Sequence, residues 1–177
     1  MKKGILILLV VILFLPSCRK ANDTPTSGTA TLNNDSHLDP KIQTYTYYGF
    51  LFSEGKLVSV NETPAPDILL INDGTLGNLI LQADNLDNSF YKVGIYPDAS
   101  SAQQVFDTLF HPVVLQWAAM ADSLKSNEVL LYRSGSEHYA KLRIVSLVSE
   151  VRNSKNYAEC TFEWVYQPDG SFTFPVK

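Results

Sequence analysis

Few side chains in this chain have the chemistry for catalysis, ligation or covalent modification. They are His37, His111 and His138, two cysteines (Cys18 and Cys160), nine tyrosines, and Met120 as the one methionine after the initiator. Their spacing matches no catalytic constellation. No Gly-x-Ser-x-Gly elbow presents a nucleophile, and no His-Glu-x-x-His pair would hold zinc. No pair of carboxylates stands at a spacing suited to general acid and base work, and three histidines leave few candidates for the base of a triad. The sequence therefore points to a binding protein and not to an enzyme.

Cys18 is the residue with the most specific surroundings. Lys2 and Lys3 precede an apolar run over residues 5–15, which closes with Leu15-Pro16-Ser17-Cys18. Eleven apolar residues are too short to span a bilayer core of about 30 Å, so residues 1–17 read as a secretory signal and stay outside the fold. Ser17 before the cysteine and Leu15 three positions ahead of it resemble the lipobox of bacterial lipoproteins. That resemblance implies cleavage before Cys18, acylation of its thiol and amine, and a cell-envelope location, at the outer membrane. Several acyl chains, each methylene contributing about 0.8 kcal/mol, would hold the protein on its membrane.

The rest of the composition agrees with an exported domain. Residues 1–17 hold two lysines and no acid, so their loss moves the net charge from −4 to about −6. An acidic balance argues against nucleic acid as a partner. With Cys18 lipidated, Cys160 has no partner for a disulfide, and its alternating neighbours make it a small buried hydrophobe. Residues 18–40 are rich in Thr, Asn, Asp, Ser, Pro and Gly, and they read as a flexible tether with a reach of about 25 Å. The folded body is then one domain over residues 41–177.

Within that body the pattern is mainly β. Residues 44–52 and 56–60, separated by Ser53-Glu54-Gly55, form a hairpin pattern, and residues 67–71 and 78–83 a second. Residues 90–96 and 128–133 are further strands. The clusters at 72–77 and 84–88 carry Asn, Asp and Gly without calcium-ligand spacing, and turn chemistry accounts for them. From Ser100 the period changes: Val105, Phe106, Leu109, Phe110, Val113, Val114, Trp117, Met120, Ala121 and Leu124 recur every three or four residues. Asp98 offers a start signal, and Pro112 divides the segment into a helix ending near Phe110 and a second helix with Pro112 in its first turn. The last stretch returns to period two. Ala140, Leu142, Ile144, Ser146 and Val148 alternate with Lys141 and Arg143; Ala158, Cys160, Phe162, Trp164 and Tyr166 alternate with Glu159, Thr161 and Glu163, and only Val165 breaks the pattern. Pro168-Asp169-Gly170 is a turn after which Phe172 and Phe174 read as a third strand. The expected fold is a β-rich α+β domain of antiparallel sheets, with a short helical insertion near residues 100–125.

Gly49-Phe-Leu-Phe-Ser-Glu-Gly-Lys56 with Asp67-Ile-Leu-Leu-Ile71, and Tyr139-Ala-Lys-Leu-Arg-Ile-Val-Ser146 with Thr161-Phe-Glu-Trp-Val-Tyr-Gln-Pro-Asp-Gly-Ser171 and Phe174, resemble the two ends of the HmuY family of Bacteroidetes haemophore lipoproteins. The resemblance implies a mostly β fold whose cleft holds haem through axial ligands and passes it to an outer-membrane transport receptor. Axial ligation needs His, Met, Cys or Tyr. His111, beside Phe110, Val113 and Trp117, has the apolar setting a porphyrin needs; Met120 lies nine positions further along the same stripe, and His138 stands at a turn beside Glu137. His37 falls in the tether and is set aside. The alternative is an accessory envelope lipoprotein that docks a protein partner and binds no haem.

Overall fold

The computed structural model describes residues 24–75, 77–83 and 88–175. The signal segment, Cys18 and positions 84–87 of the second Asn/Asp cluster lie outside the described residues. In chain order the described elements are β1 (Ser27–Asn33), β2 (His37–Asp39), β3 (Thr44–Thr46), β4 (Tyr48–Leu51), β5 (Lys56–Ser59), β6 (Ile68–Asn72), β7 (Leu79–Ala83), β8 (Phe90–Ile95), α1 (Ala99–Thr108), β9 (Met120–Ala121), β10 (Glu128–Arg133), β11 (Tyr139–Arg152) and β12 (Lys155–Gln167). The strands make one five-stranded sheet in the order β1-β12-β11-β10-β8, a second in the order β5-β4-β6-β7-β9, and a separate ribbon, β2-β3. All pairings are antiparallel. The domain is mainly β, as the residue pattern requires, with one short helix among the described residues.

The two sheets face each other across the main core. Phe50, Phe52, Ile68 and Leu81 from one sheet pack against Leu32, Leu142, Phe162 and Trp164 from the other. Phe50 meets Phe162 and Trp164 with ring centroids 5.5 and 5.1 Å apart. Asp67 ties the sheets together: its carboxylate accepts the Phe52 amide at 2.7 Å and the Tyr132 hydroxyl at 3.2 Å.

On its outer face the first sheet is covered by α1 and the C-terminal tail. Val129, Leu131 and Val165 are buried there with Phe106 and Phe174. Val165, which breaks the alternation of β12, is thus an outward-facing residue roofed by the helix. Lys141 shares that face and is fully buried. Its ammonium donates to the carbonyls of Phe106 at 2.6 Å, Leu109 at 3.3 Å and Pro175 at 3.5 Å. A cation favours the carbonyl end of a helix, and here it also gathers in the tail. At the other end Asp98 caps the helix by accepting the Ser101 amide at 2.8 Å, and that bond holds its carboxyl below the usual range.

Four expectations are corrected. Residues 27–33 are a strand and not tether: β1 pairs along its whole length with β12 and buries Leu32, so the folded body starts well before residue 41. Residues 172–174 do not extend the sheet, because the far edge of β12 is taken by β1; Phe174 instead donates its amide to the Phe110 carbonyl at 3.0 Å in the helix layer. The second helix is absent among the described residues. Pro112 and the β-branched Val113 and Val114 favour extended chain, and residues 109–119 cross from the helix layer past β8, where Phe90 and Ala118 form a bridge. Finally, a bulge between Ile144 and Ser146 reverses the faces of β11, so that Leu147 packs on the core in place of Ser146 and Val148.

Candidate ligand-binding groove

Among the described residues, neither core cluster includes a side chain of the β2-β3 ribbon. Its strands pair His37 with Thr46, Leu38 with Tyr45 and Asp39 with Thr44. Its tight loop is built by Asp39, whose side chain accepts the Lys41 amide at 2.8 Å and whose carbonyl accepts that of Gln43 at 2.9 Å. Thr46 fastens the ribbon to the body, with its hydroxyl 2.9 Å from that of Ser59 and accepting the Asn61 amide at 3.0 Å. Alternation from Thr44 to Tyr48 therefore sends Thr46 inward and leaves Tyr45 and Tyr47 standing out, 70% and 53% exposed.

Three cavities near the ribbon adjoin one another through shared lining residues. One of about 500 Å³ lies between it and the tip of the β11-β12 hairpin, lined by Tyr45, Tyr47, Arg152, Lys155 and Tyr157 among others. It shares Asn34 and Tyr47 with a second, of about 290 Å³, walled by Tyr48, Val60, Leu69 and Ile71. That one shares Asn33 and Tyr48 with a third, of about 400 Å³, lined by Leu32, His37 and Leu57. The result is a groove with an apolar stretch beside His37 and a polar stretch at the hairpin tip. Both volumes and composition suit a small ligand.

The groove's walls are held by hydrogen bonds. Asn34 donates to the Asn156 carbonyl at 3.0 Å and accepts the Ala158 amide at 2.8 Å, which pins the turn between β1 and β2 onto β12. The ring of His37 meets Tyr48 edge-on at 5.6 Å. Arg152 lies 3.4 Å over the ring of Tyr157 and pairs with Glu150. The Tyr157 hydroxyl donates to Glu159 at 2.6 Å, and burial together with that bond pushes its acidity constant above the usual phenol value.

The sequence candidates for axial ligands do not converge. His111 is exposed beyond the helix, where its Nδ1 stands 3.2 Å from the Thr173 hydroxyl and its ring against Phe110. Met120 belongs to β9, paired with Gln82 in the second sheet. His138 sits in the β10-β11 turn, its Nδ1 2.9 Å from the Ser136 hydroxyl. None of the three lines the groove. The spacing of His111 and Met120 presumed a helix that does not form, so they fall in different layers. Cys18 lies outside the described residues. Cys160 is buried in the core, and burial, with Glu128 and Glu159 nearby, pushes its thiol up to about 12.

His37 was hidden by its polar neighbourhood. The signal that finds it is the pairing of His37-Leu-Asp39 with Thr44-Tyr-Thr46 across a Pro-Lys turn, two short alternating runs on either side of a loop. Among the described residues no three His, Cys, Asp or Glu side chains cluster as a metal ion would need, and no helix is long and apolar enough to cross a membrane. No family model matches the chain, and no curated protein matches it.

Proposed function

We propose that this chain is a lipoprotein, anchored in the cell envelope through Cys18, that binds a small ligand in the ribbon groove and delivers it to an outer-membrane transport receptor. Haem is the ligand that the likeness to HmuY proteins implies. The observation that carries the reading is a pair of adjoining pockets that share Tyr48: His37 stands with Leu57 in one, and Tyr47 with Val60 and Leu69 in the other. Imidazole and phenolate are both axial ligands of haem iron, and the aliphatic residues offer a porphyrin an apolar wall, so this donor set fits the group. When bound, haem would be cargo. The role of His37, Tyr47 and Tyr48 is to hold and orient it, and that of the leucines and Val60 to exclude water.

Titration of the chain lacking residues 1–17 with hemin, read by absorbance against a protein-free blank, tests this. A saturable Soret shift at micromolar protein that weakens at least tenfold in His37→Ala supports the reading. Absence of any shift removes haem as the ligand.

A second reading has its own observation. Val113 and Leu115, 78% and 88% exposed, follow the exposed Phe110 on the segment after α1. Three exposed apolar side chains within six residues of chain favour an accessory lipoprotein that docks a protein partner. Crosslinking in intact envelopes, compared between the native chain and Val113→Asp with Leu115→Asp, separates the two.

A further inference from the structure

The polar stretch of the groove is chemically unlike the part beside His37. On one wall Tyr45 and Tyr47 leave the ribbon with uncovered ring faces. On the other is the hairpin tip, where Asn153 and Ser154 both take positive φ, 49° and 62°, in the two-residue turn that a twisted hairpin prefers. The strap of Asn34, Asp35 and Ser36 joins the walls. Several polar groups here are already engaged: Asn34 with β12, Asn156 with the Gly74 carbonyl at 2.9 Å, and Arg152 with Glu150. The Asp35 carboxylate, the hydroxyls of Ser36, Tyr45 and Tyr47, the Asn153 amide and the Lys155 ammonium have no hydrogen-bond or ion-pair partner among the described residues. The cleft thus presents donors and acceptors in mixture, around two bare aromatic faces.

Ligand chemistry follows from that mixture. A porphyrin needs a continuous apolar wall, which this stretch lacks. A phosphate or polyanion needs uncompensated positive charge, yet Arg152 pairs with Glu150 and the lining carries the acid Asp35 as well as Lys155. A sugar ring has both matching features. Its axial C–H faces lie flat on aromatic rings, and its hydroxyls donate and accept at once. The cavity of about 500 Å³ is large enough for a small ligand.

We propose that the cleft between the ribbon and the β11-β12 tip is a saccharide-binding site, with Tyr45 and Tyr47 as the stacking platform and Asp35, Asn153 and Lys155 as the hydroxyl-binding groups. It shares Tyr47 with the haem reading but not His37, on which the test of that reading rests.

Calorimetric titration of the chain lacking residues 1–17 with maltohexaose, cellohexaose, xylohexaose and chitohexaose tests it. At least one is expected to bind saturably in the millimolar range or tighter. The double variant Tyr45→Ala, Tyr47→Ala is expected to weaken it at least tenfold, and Asp35→Asn by a smaller factor. All three side chains are on the surface, so melting curves by circular dichroism should superpose on the native one. No saturable binding to any of the four at millimolar sugar, or binding that survives the double variant, overturns the proposal. A hemin titration of the same preparation reads the other half of the groove separately, through its response to His37→Ala.

Discussion

Leu32→Ala distinguishes a folded β1 from a flexible tether. Leu32 is 1% exposed, enclosed by the core that both sheets share, and its strand is the outermost of the first sheet. The substitution removes three carbons from a packed site. Transfer alone costs about 2.4 kcal/mol at about 0.8 kcal/mol per methylene-sized group, and the cavity left behind raises the total toward about 3 kcal/mol. A strand at a sheet edge relaxes more readily than one at its centre, which keeps the value below the top of the range for such changes. In a domain of this size about 3 kcal/mol corresponds to a fall in Tm of roughly 6–12 °C. Urea unfolding followed by tryptophan fluorescence reports it, because Trp164 lies in the same core cluster. Thr29→Ala, at an exposed position of the same strand, serves as the control and should stay within about 0.5 kcal/mol of the native chain. A Leu32→Ala protein whose midpoint matches the control would refute the placement of residues 27–33 in the core.

Other outcomes follow from single contacts. Lys141→Met takes a charge-assisted donor from the Phe106 carbonyl and loosens the tail, and should cost about 1.5–3 kcal/mol with faster exchange of the Phe174 amide; an unchanged urea midpoint would contradict the clamp. Cys160, with its thiol held near 12 by burial, should stay unreactive toward a disulfide reagent at pH 8 until the protein unfolds, as peptide mapping of labelled chains would show. The Asp98 carboxyl sits below its unfolded value because it accepts the Ser101 amide, so its contribution is present above the unfolded pKa and is lost as pH falls through the lower folded one. Urea midpoints between pH 5 and about 2.5 should therefore fall less steeply in Asp98→Ala than in the native chain.

Much of the sheet architecture was written in local patterns. The β6-β7 and β4-β5 hairpins follow from aromatic and aliphatic runs closed by Gly and Asn, and the long β11-β12 pair from an alternation of apolar and polar side chains that Val165 and one bulge interrupt. The start of α1 was visible in Asp98. What escaped depends on pairing between distant segments. Ser27-Gly-Thr-Ala-Thr-Leu-Asn33 offers one large apolar residue, since an edge strand with one exposed face has little to bury, and its polarity resembles that of a linker. Once β1 occupies the edge of β12, Phe172 and Phe174 must go elsewhere, yet nothing local to them says so. The segment after Pro112 keeps a helical spacing of apolar residues but lays Trp117 over Tyr91, Tyr139 and Phe172 as extended chain. The groove was illegible for the same reason: the ribbon's first strand, His37–Asp39, belongs to the stretch that composition assigned to the tether, so His37 was passed over for His111, Met120 and His138.

The most direct test of the groove is a map of amide chemical shifts in the isotope-labelled chain lacking residues 1–17, titrated with a diamagnetic gallium protoporphyrin. Shifts confined to residues 31–37, 45–48, 57–60 and 69–72 are the predicted result. Shifts centred on His111, Met120 or His138, or a spectrum that does not change, would contradict the assignment of the ribbon groove as the ligand site.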